Sequence, residues 1–117
     1  MRFIENFLSP IEAAGWLTDL DDPTGVNWQR ESFRIFGRDV QAPRKLAWFG
    51  DAGLNYRYTG IDHKSVGWPP ALAVLKSRVE SQAGQRFNFL LLNRYADGSA
   101  HLGWHRDDEA GCLGNIA

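Results

Sequence analysis

The chain has 117 residues, 44% of them hydrophobic and 23% charged, a composition that describes one soluble globular domain and excludes a disordered, collagen-like or membrane-spanning chain. With 13 basic residues against 14 acidic ones the net charge is −1, so no general polycationic surface exists and any nucleic-acid binding must be local. The single cysteine, Cys112, excludes an internal disulfide, and neither a signal peptide nor a run of about 18 apolar residues is present, so the expected location is intracellular, in cytoplasm or nucleus, with no membrane partner.

Ser9-Pro10-Ile11-Glu12 predicts a helix start: Ser9 caps, Pro10 is preset for the first turn, and Glu12 reaches back to the cap. Ile11, Ala14, Leu17 or Thr18, and Leu20 form a modest apolar stripe, and the helix is expected to end near Asp19, because Asp21-Asp22-Pro23-Thr24-Gly25 is a cluster of turn formers. Val26 to Phe36 suits a strand closed by Gly37-Arg38-Asp39, with Arg44 to Phe49 as its partner. Asn55 to Thr59 alternates and puts Tyr56 and Tyr58 on one face of a strand, whereas Gly60 to Pro70 is expected to be loop.

Pro70 opens a second helix, in which Leu72, Leu75 and Val79 recur at helical spacing, and Gly84 sits where a left-handed cap belongs. Phe87 to Tyr95 predicts a buried strand, Asp97-Gly98 a tight turn, and Ala100 to His105 the lead into another strand. Seven Phe, five Trp and three Tyr exceed what helix seams need and favour strands, so the order of elements predicts an α+β, mostly β domain.

Trp104-His105-Arg106-Asp107-Asp108-Glu109 is the densest polar cluster. In an extended segment residues two apart point the same way, so His105 and Asp107 converge and can chelate a metal. An imidazole and a carboxylate joined by a second imidazole make the facial triad of non-heme iron(II) oxygenases; equally, a histidine near acids is often only a hydrogen-bonded surface residue. On the preceding strand Asn93 and Tyr95 continue the face of Phe87, Phe89 and Leu91, and polar groups ending an apolar face need partners. The same two residues also suit the opening of the turn at Asp97-Gly98.

Taken together, Asn93-Arg94-Tyr95-x-Asp97-Gly98 and His105-Arg106-Asp107-Asp108-Glu109 resemble the AlkB-like family of iron(II) and 2-oxoglutarate dependent dioxygenases, which repair alkylated nucleobases. Pro43-Arg44-Lys45, Phe49-Gly50-Asp51-Ala52-Gly53, Tyr56-x-Tyr58 and Gly84-Gln85-x-Phe87-Asn88 are similar in the same order, so the resemblance spans about Phe33 to the end. It implies an incomplete double-stranded β-helix, or jelly roll, with flanking helices and an amino-terminal nucleotide-recognition hairpin. Residues 1–60 would be the recognition region and 61–117 the start of the jelly-roll core of one truncated domain. It also implies Fe(II) held by His105 and Asp107, with 2-oxoglutarate as cosubstrate on Asn93 and Tyr95. The alkylated base, in DNA or RNA, would meet Tyr56, Tyr58, Asp108 and Glu109, although Tyr58 suits a core ring equally well and the two acids suit a solvated loop.

Such a substrate suits these residue types: a base alkylated on its pairing edge is poorly paired and cheaper to extrude, aromatic rings stack it, and carboxylates favour a cationic lesion. Between Gln29 and Lys45 the five cations Arg30, Arg34, Arg38, Arg44 and Lys45 outnumber Glu31 and Asp39, which suits either a solvated hairpin or phosphate contact, and it is the resemblance at Pro43-Arg44-Lys45 that places Arg44 and Lys45 on phosphate. Trp28 and Phe36 suit intercalation, but core packing is the expected role of both.

The family completes its iron site with a distal histidine and binds the far carboxylate of 2-oxoglutarate through an arginine. Neither follows Glu109 here, His101 is about 13 Å from His105 in an extended strand, and His63 is expected in a loop. The expectation is therefore an amino-terminal portion, inactive and marginally stable by itself. The competing readings are a non-catalytic nucleic-acid-binding half-domain, an oxygenase acting on protein or lipid, and a hydrolytic metal site. The oligomeric state is not encoded in any of these motifs.

Overall fold

In a computed structural model, which describes residues 2–22, 25–58, 61–65, 67–105 and 116–117, the capping box predicted at Ser9 is formed. Glu12 N–H donates to Ser9 Oγ at 3.2 Å and Ser9 N–H to Glu12 Oε2 at 2.8 Å, which satisfies two of the orphan donors at the start of a helix. Helix α1 runs Pro10–Asp21, two residues past the expected end, and buries none of its residues; Ile11 and Leu17 of the supposed stripe are 86% and 65% exposed.

Strand β1, Gln29–Ile35, turns through Phe36 and Gly37 into β2, Arg38–Gly50. Both turn residues have positive φ, 49° and 75°, the signature of the two-residue type I′ hairpin whose twist matches the flanking strands. β2 is longer than the predicted Arg44–Phe49 because its first half pairs with β1 and its second half with β5, Lys45 and Leu46 pairing with both. The pairing steps from Arg30↔Lys45 to Ser32↔Gln41, so Glu31 faces the three residues Ala42, Pro43 and Arg44. Pro43, which has no N–H for a ladder, is accommodated in this bulge.

β3, Asn55–Tyr58, pairs with β4, Ile61–Lys64, as a separate two-stranded hairpin. β4 lies where a loop was expected; its polar Asp62-His63-Lys64 carries no apolar alternation, and pairing with β3 supplies the strand. Helix α2, Pro70–Ala83, ends on Gly84 in the left-handed conformation (φ 67°) as predicted, with Gly84 N–H donating to Glu80 O at 2.9 Å. β5, Phe89–Tyr95, pairs antiparallel with β2 and completes a three-stranded sheet in the order β1-β2-β5. No strand is assigned over Ala100–His105, contrary to expectation. There Asp97 accepts from Ser99 N–H at 2.8 Å and from Ala100 N–H on its carbonyl at 3.2 Å, and these local bonds turn the chain instead of extending it.

The core sits on β2. Among the described residues the buried apolar side chains are Ala42, Leu46, Ala47 and Leu72, and Leu46 is the largest. Gly50 closes the far end of the strand: a Cβ there would lie 2.8 Å from Ser65 Oγ and 2.9 Å from the carbonyl oxygen of Asn88, so only glycine lets β2, β5 and the chain after β4 meet. The radius of gyration, 15.5 Å, exceeds the roughly 13.4 Å of a compact chain of this length, in keeping with so thin a core.

Ion pairs tie the helices to the rest. Arg78 on α2 bonds Glu12 Oε1 at 2.8 Å and the carbonyl of Phe7 at 3.1 Å; Arg94 on β5 bonds Asp21 on α1 at 2.6 Å; Glu80 accepts from Phe87 N–H at 2.8 Å and pairs with Lys76 at 3.0 Å. The hydrogen bond from Ser9 N–H, then Arg78, holds Glu12 below the usual carboxylate range; Arg94 does the same for Asp21, and Phe87 N–H followed by Lys76 for Glu80. A carboxylate whose folded pKa is depressed binds fewer protons folded than unfolded, so its stabilisation is complete above the ordinary carboxylate pKa and is lost as pH falls from there through the depressed folded value. The melting temperature should therefore hold steady above about pH 5 and fall below about pH 4. A thermal profile flat down to about pH 3 would show that these pairs contribute nothing.

Candidate functional site

Direct register decides which residues share a face of the sheet. Tyr95 lies opposite Arg44, Asn93 opposite Leu46, Leu91 opposite Trp48 and Phe89 opposite Gly50. These residues form one face, here the Tyr95 face. Arg94 opposite Lys45, Leu92 opposite Ala47 and Leu90 opposite Phe49 form the other. The expected alternation of β5 is thus realised: its apolar face ends in Asn93 and Tyr95, about 7 Å apart along the strand. Both are exposed, and neither side chain has a hydrogen-bond partner among the described residues. An amide and a phenol so placed offer donors to a carboxylate arriving over that face.

Arg44 and Lys45, grouped by sequence as phosphate contacts, do not form one patch. Arg44 is 7% exposed on the Tyr95 face, where it faces Tyr95; Lys45 is half-buried on the opposite face. Tyr56 and Tyr58 are both on β3, with Tyr56 in register with His63 and Tyr58 with Ile61, so His63 is on a strand and not in the loop expected for it.

His105 is exposed and its Nδ1 lies 2.9 Å from the carbonyl oxygen of Gly103. A carbonyl only accepts, so this bond needs the proton on Nδ1, which in the neutral ring leaves the lone pair on Nε2, the tautomer of a histidine that ligates a metal through Nε2. His101 makes the equivalent bond to Ser99 O at 3.1 Å. Asp107, Asp108 and Glu109 lie outside the described residues, and among the described residues no three His, Cys, Asp or Glu side chains gather as a metal site. An imidazole presenting Nε2, with a carboxylate two residues on in sequence, fits as part of an iron(II) donor set.

The sequence reading missed the hairpin tip. Phe36, expected in the core, is fully exposed, at 101%, because the type I′ turn projects it beyond both strands. Trp28 is half-buried and donates from Nε1 to Leu20 O at 2.8 Å, which ties it to α1. The signal for Phe36 was the Phe-Gly pair itself, between two alternating arms. A cavity of about 470 Å³ opens on the face opposite Tyr95, lined by Asp21, Asn27, Trp28, Lys45 and Arg94 among others. A second, of about 640 Å³, lies between the amino-terminal segment and α2, lined by Ile4, Phe7, Val74 and Arg78 among others. Neither contains Asn93, Tyr95 or His105. No helix among the described residues is long and apolar enough to cross a membrane.

A family model described as the 2OG-Fe(II) oxygenase superfamily matches residues 1–116. The chain is 46% identical over 76 residues to human DNA oxidative demethylase ALKBH2, covering 65% of this chain and 29% of that protein. It is 35% identical over 111 residues to the Arabidopsis thaliana DNA oxidative demethylase ALKBH2, covering 92% and 35%. To human alpha-ketoglutarate-dependent dioxygenase alkB homolog 3 it is 41% identical over 85 residues, covering 72% and 29%. The chain thus spans about a third of the length of these relatives.

Proposed function

This chain belongs to the 2OG-Fe(II) oxygenase superfamily, and from that premise we propose that the protein carrying it removes alkyl groups oxidatively from nucleobases in DNA. Fe(II) and 2-oxoglutarate, the pair that gives the family its name, would supply the oxidising chemistry: one oxygen atom of dioxygen goes into succinate as 2-oxoglutarate loses CO2, and the other hydroxylates the N-alkyl group, which leaves as an aldehyde, formaldehyde from a methyl group. The observation that carries the reading is the polar end of β5, where Asn93 and Tyr95 share a face with no side-chain hydrogen-bond partner among the described residues, followed by an imidazole whose Nδ1 bonds Gly103 O. The relatives' names, demethylases of DNA, supply the substrate class.

In this proposal His105 and Asp107 hold Fe(II), and Asn93 and Tyr95 hydrogen-bond 2-oxoglutarate. Tyr56 and Tyr58 line the base pocket, while Asp108 and Glu109 favour a cationic lesion. Arg44 orders the Tyr95 face beneath the cosubstrate end, and Lys45 meets phosphate. Residues 1–60 make the recognition region, and β5 onward opens the jelly-roll core. The chain contributes two of the three protein ligands such a centre takes, so by itself it should hold Fe(II) weakly and release no succinate.

Phe36 supplies a wedge. An apolar ring at a rigid tip, between strands carrying Arg34 and Arg38, is placed to enter a base step and hold the duplex open while a base is extruded. The test uses the protein carrying this chain, with Fe(II), 2-oxoglutarate and a methylated oligonucleotide. Succinate and formaldehyde should appear together, and Phe36→Ala should slow duplex substrate about tenfold while sparing single strands, where no stack needs opening. Absence of formaldehyde with any methylated oligonucleotide overturns the proposal; equal loss on both strand states removes the wedge from it.

A further inference from the structure

On the face of the sheet away from Tyr95, Arg30 on β1 lies directly opposite Lys45 on β2, and Lys45 directly opposite Arg94 on β5. Three cations thus cross three adjacent strands in one row, about 10 Å from end to end at normal strand spacing. Like charges set directly opposite one another destabilise a sheet. Among the described residues only one is neutralised: Arg94 by Asp21. Among the described residues neither Arg30 nor Lys45 forms an ion pair. Lys45 and Arg94 also line the 470 Å³ cavity, together with the ring of Trp28 and the amide of Asn27. Its volume holds far more than the roughly 30 Å³ share of one water. Two to four residues nearer the tip, Ser32 and Arg34 continue the Arg30 side of β1, with Arg34 opposite Asp39.

We infer that Arg30, Lys45 and Arg94 form a phosphate-binding strip on the back of the sheet, which takes a backbone phosphodiester of the nucleic acid away from the hairpin tip. Bringing an anion to the row relieves the repulsion, and the cavity gives its oxygens a concave seat beside two cationic side chains. Asp21 stays on Arg94, holds its guanidinium toward the row, and leaves the surplus charge on Arg30 and Lys45. The strip rests on the nucleic-acid reading above but adds to it a second contact region, sequence-independent and on the face of the sheet away from Tyr95.

The test is the salt dependence of binding of an unmethylated duplex oligonucleotide to the protein carrying this chain, measured between about 50 and 200 mM salt. Replacing Arg30 and Lys45 together by Gln should lower the slope of log K against log salt by up to about 1.8, two phosphate contacts at about 0.9 each. Affinity should drop about tenfold or more at the low-salt end, for methylated and unmethylated duplexes alike. Phe36→Ala, which removes no charge, should keep the wild-type slope. Arg30→Gln alone should leave the melting temperature unchanged or raise it, because it relieves repulsion. An unchanged slope in the double variant overturns the strip while leaving the oxygenase reading intact. A fall in melting temperature with Arg30→Gln that accounts for the lost binding also overturns it, in favour of a structural role. If inorganic phosphate alone perturbs Trp28 fluorescence while the slope is unaffected, the site takes a free anion and the nucleic-acid assignment fails. A wild-type protein that binds no oligonucleotide overturns both readings.

Discussion

Replacing His105 by alanine in the protein that carries this chain is expected to abolish coupled release of succinate and formaldehyde, with a loss of well over a hundredfold. Changes to groups that merely orient a metal ligand already cost about 10- to 100-fold, and removing the ligand itself takes away a bond to the metal. The side chain is exposed and its Nδ1 bonds Gly103 O within the same loop; the melting temperature of the variant, measured alongside, separates loss of a metal ligand from loss of the fold. That separation makes the experiment decisive. Turnover within a few fold of wild type, in a folded variant, would remove His105 from the centre and leave the Nε2 argument without support. A parallel Asn93→Ala variant should raise the 2-oxoglutarate requirement and spare oligonucleotide binding, because Asn93 lies on the Tyr95 face, where the proposal seats 2-oxoglutarate, and not on the strip or the tip.

Leu46→Ala is expected to destabilise the fold by about 2–5 kcal/mol, the cost of emptying a buried leucine site that cannot collapse. Leu46 is 2% exposed on the central strand and is flanked by Gln29 on β1 and Asn93 on β5. It is the largest fully buried side chain among the described residues. Set against a total of roughly 5–15 kcal/mol for an ordinary domain, that loss is a large fraction of what holds the sheet. Leu46→Met, which conserves volume, should cost less than about 1.5 kcal/mol. Urea denaturation of both variants measures the difference; equal midpoints would show that packing at this position does not hold the strands together.

Local signals were legible where one residue decides one geometry. The capping box at Ser9 and Glu12, the left-handed cap at Gly84 and the shared face of Asn93 and Tyr95 all follow from backbone rules that act within a few residues. Pairing partners were not legible. β4 has no alternation of its own and is a strand because β3 lies beside it, and the first half of β2 is interrupted by Pro43, which reads as a break until the bulge opposite Glu31 accommodates it. Phe36 was assigned to the core on hydrophobicity, yet the turn that Gly37 permits carries it outward. The same limit applies to the candidate site. Residue types around His105 were readable, but Ala100–His105 is shaped by the local bonds of Asp97, His101 and His105, and no alternation rule reaches that far. Arg44 and Lys45, adjacent in sequence, are sent to opposite faces by the pleat.

Arg78 sets an order of events in time. Its bonds reach back to Glu12 and to the carbonyl of Phe7, across 66 and 71 residues, and Arg2 likewise reaches Gln82 across 80. The β1–β2 hairpin, by contrast, closes through two residues and can form before anything else is in place. Loop closure must be met before distant contacts give any return, so the amino-terminal segment joins α2 late in folding, after the hairpin and sheet exist. The same segment, held by a few exposed polar bonds with no buried residue on α1, is the first to open in the native state. Its amides should exchange with solvent well ahead of those of β2, and α1 with its preceding residues behaves as a latch on a sheet that is already built.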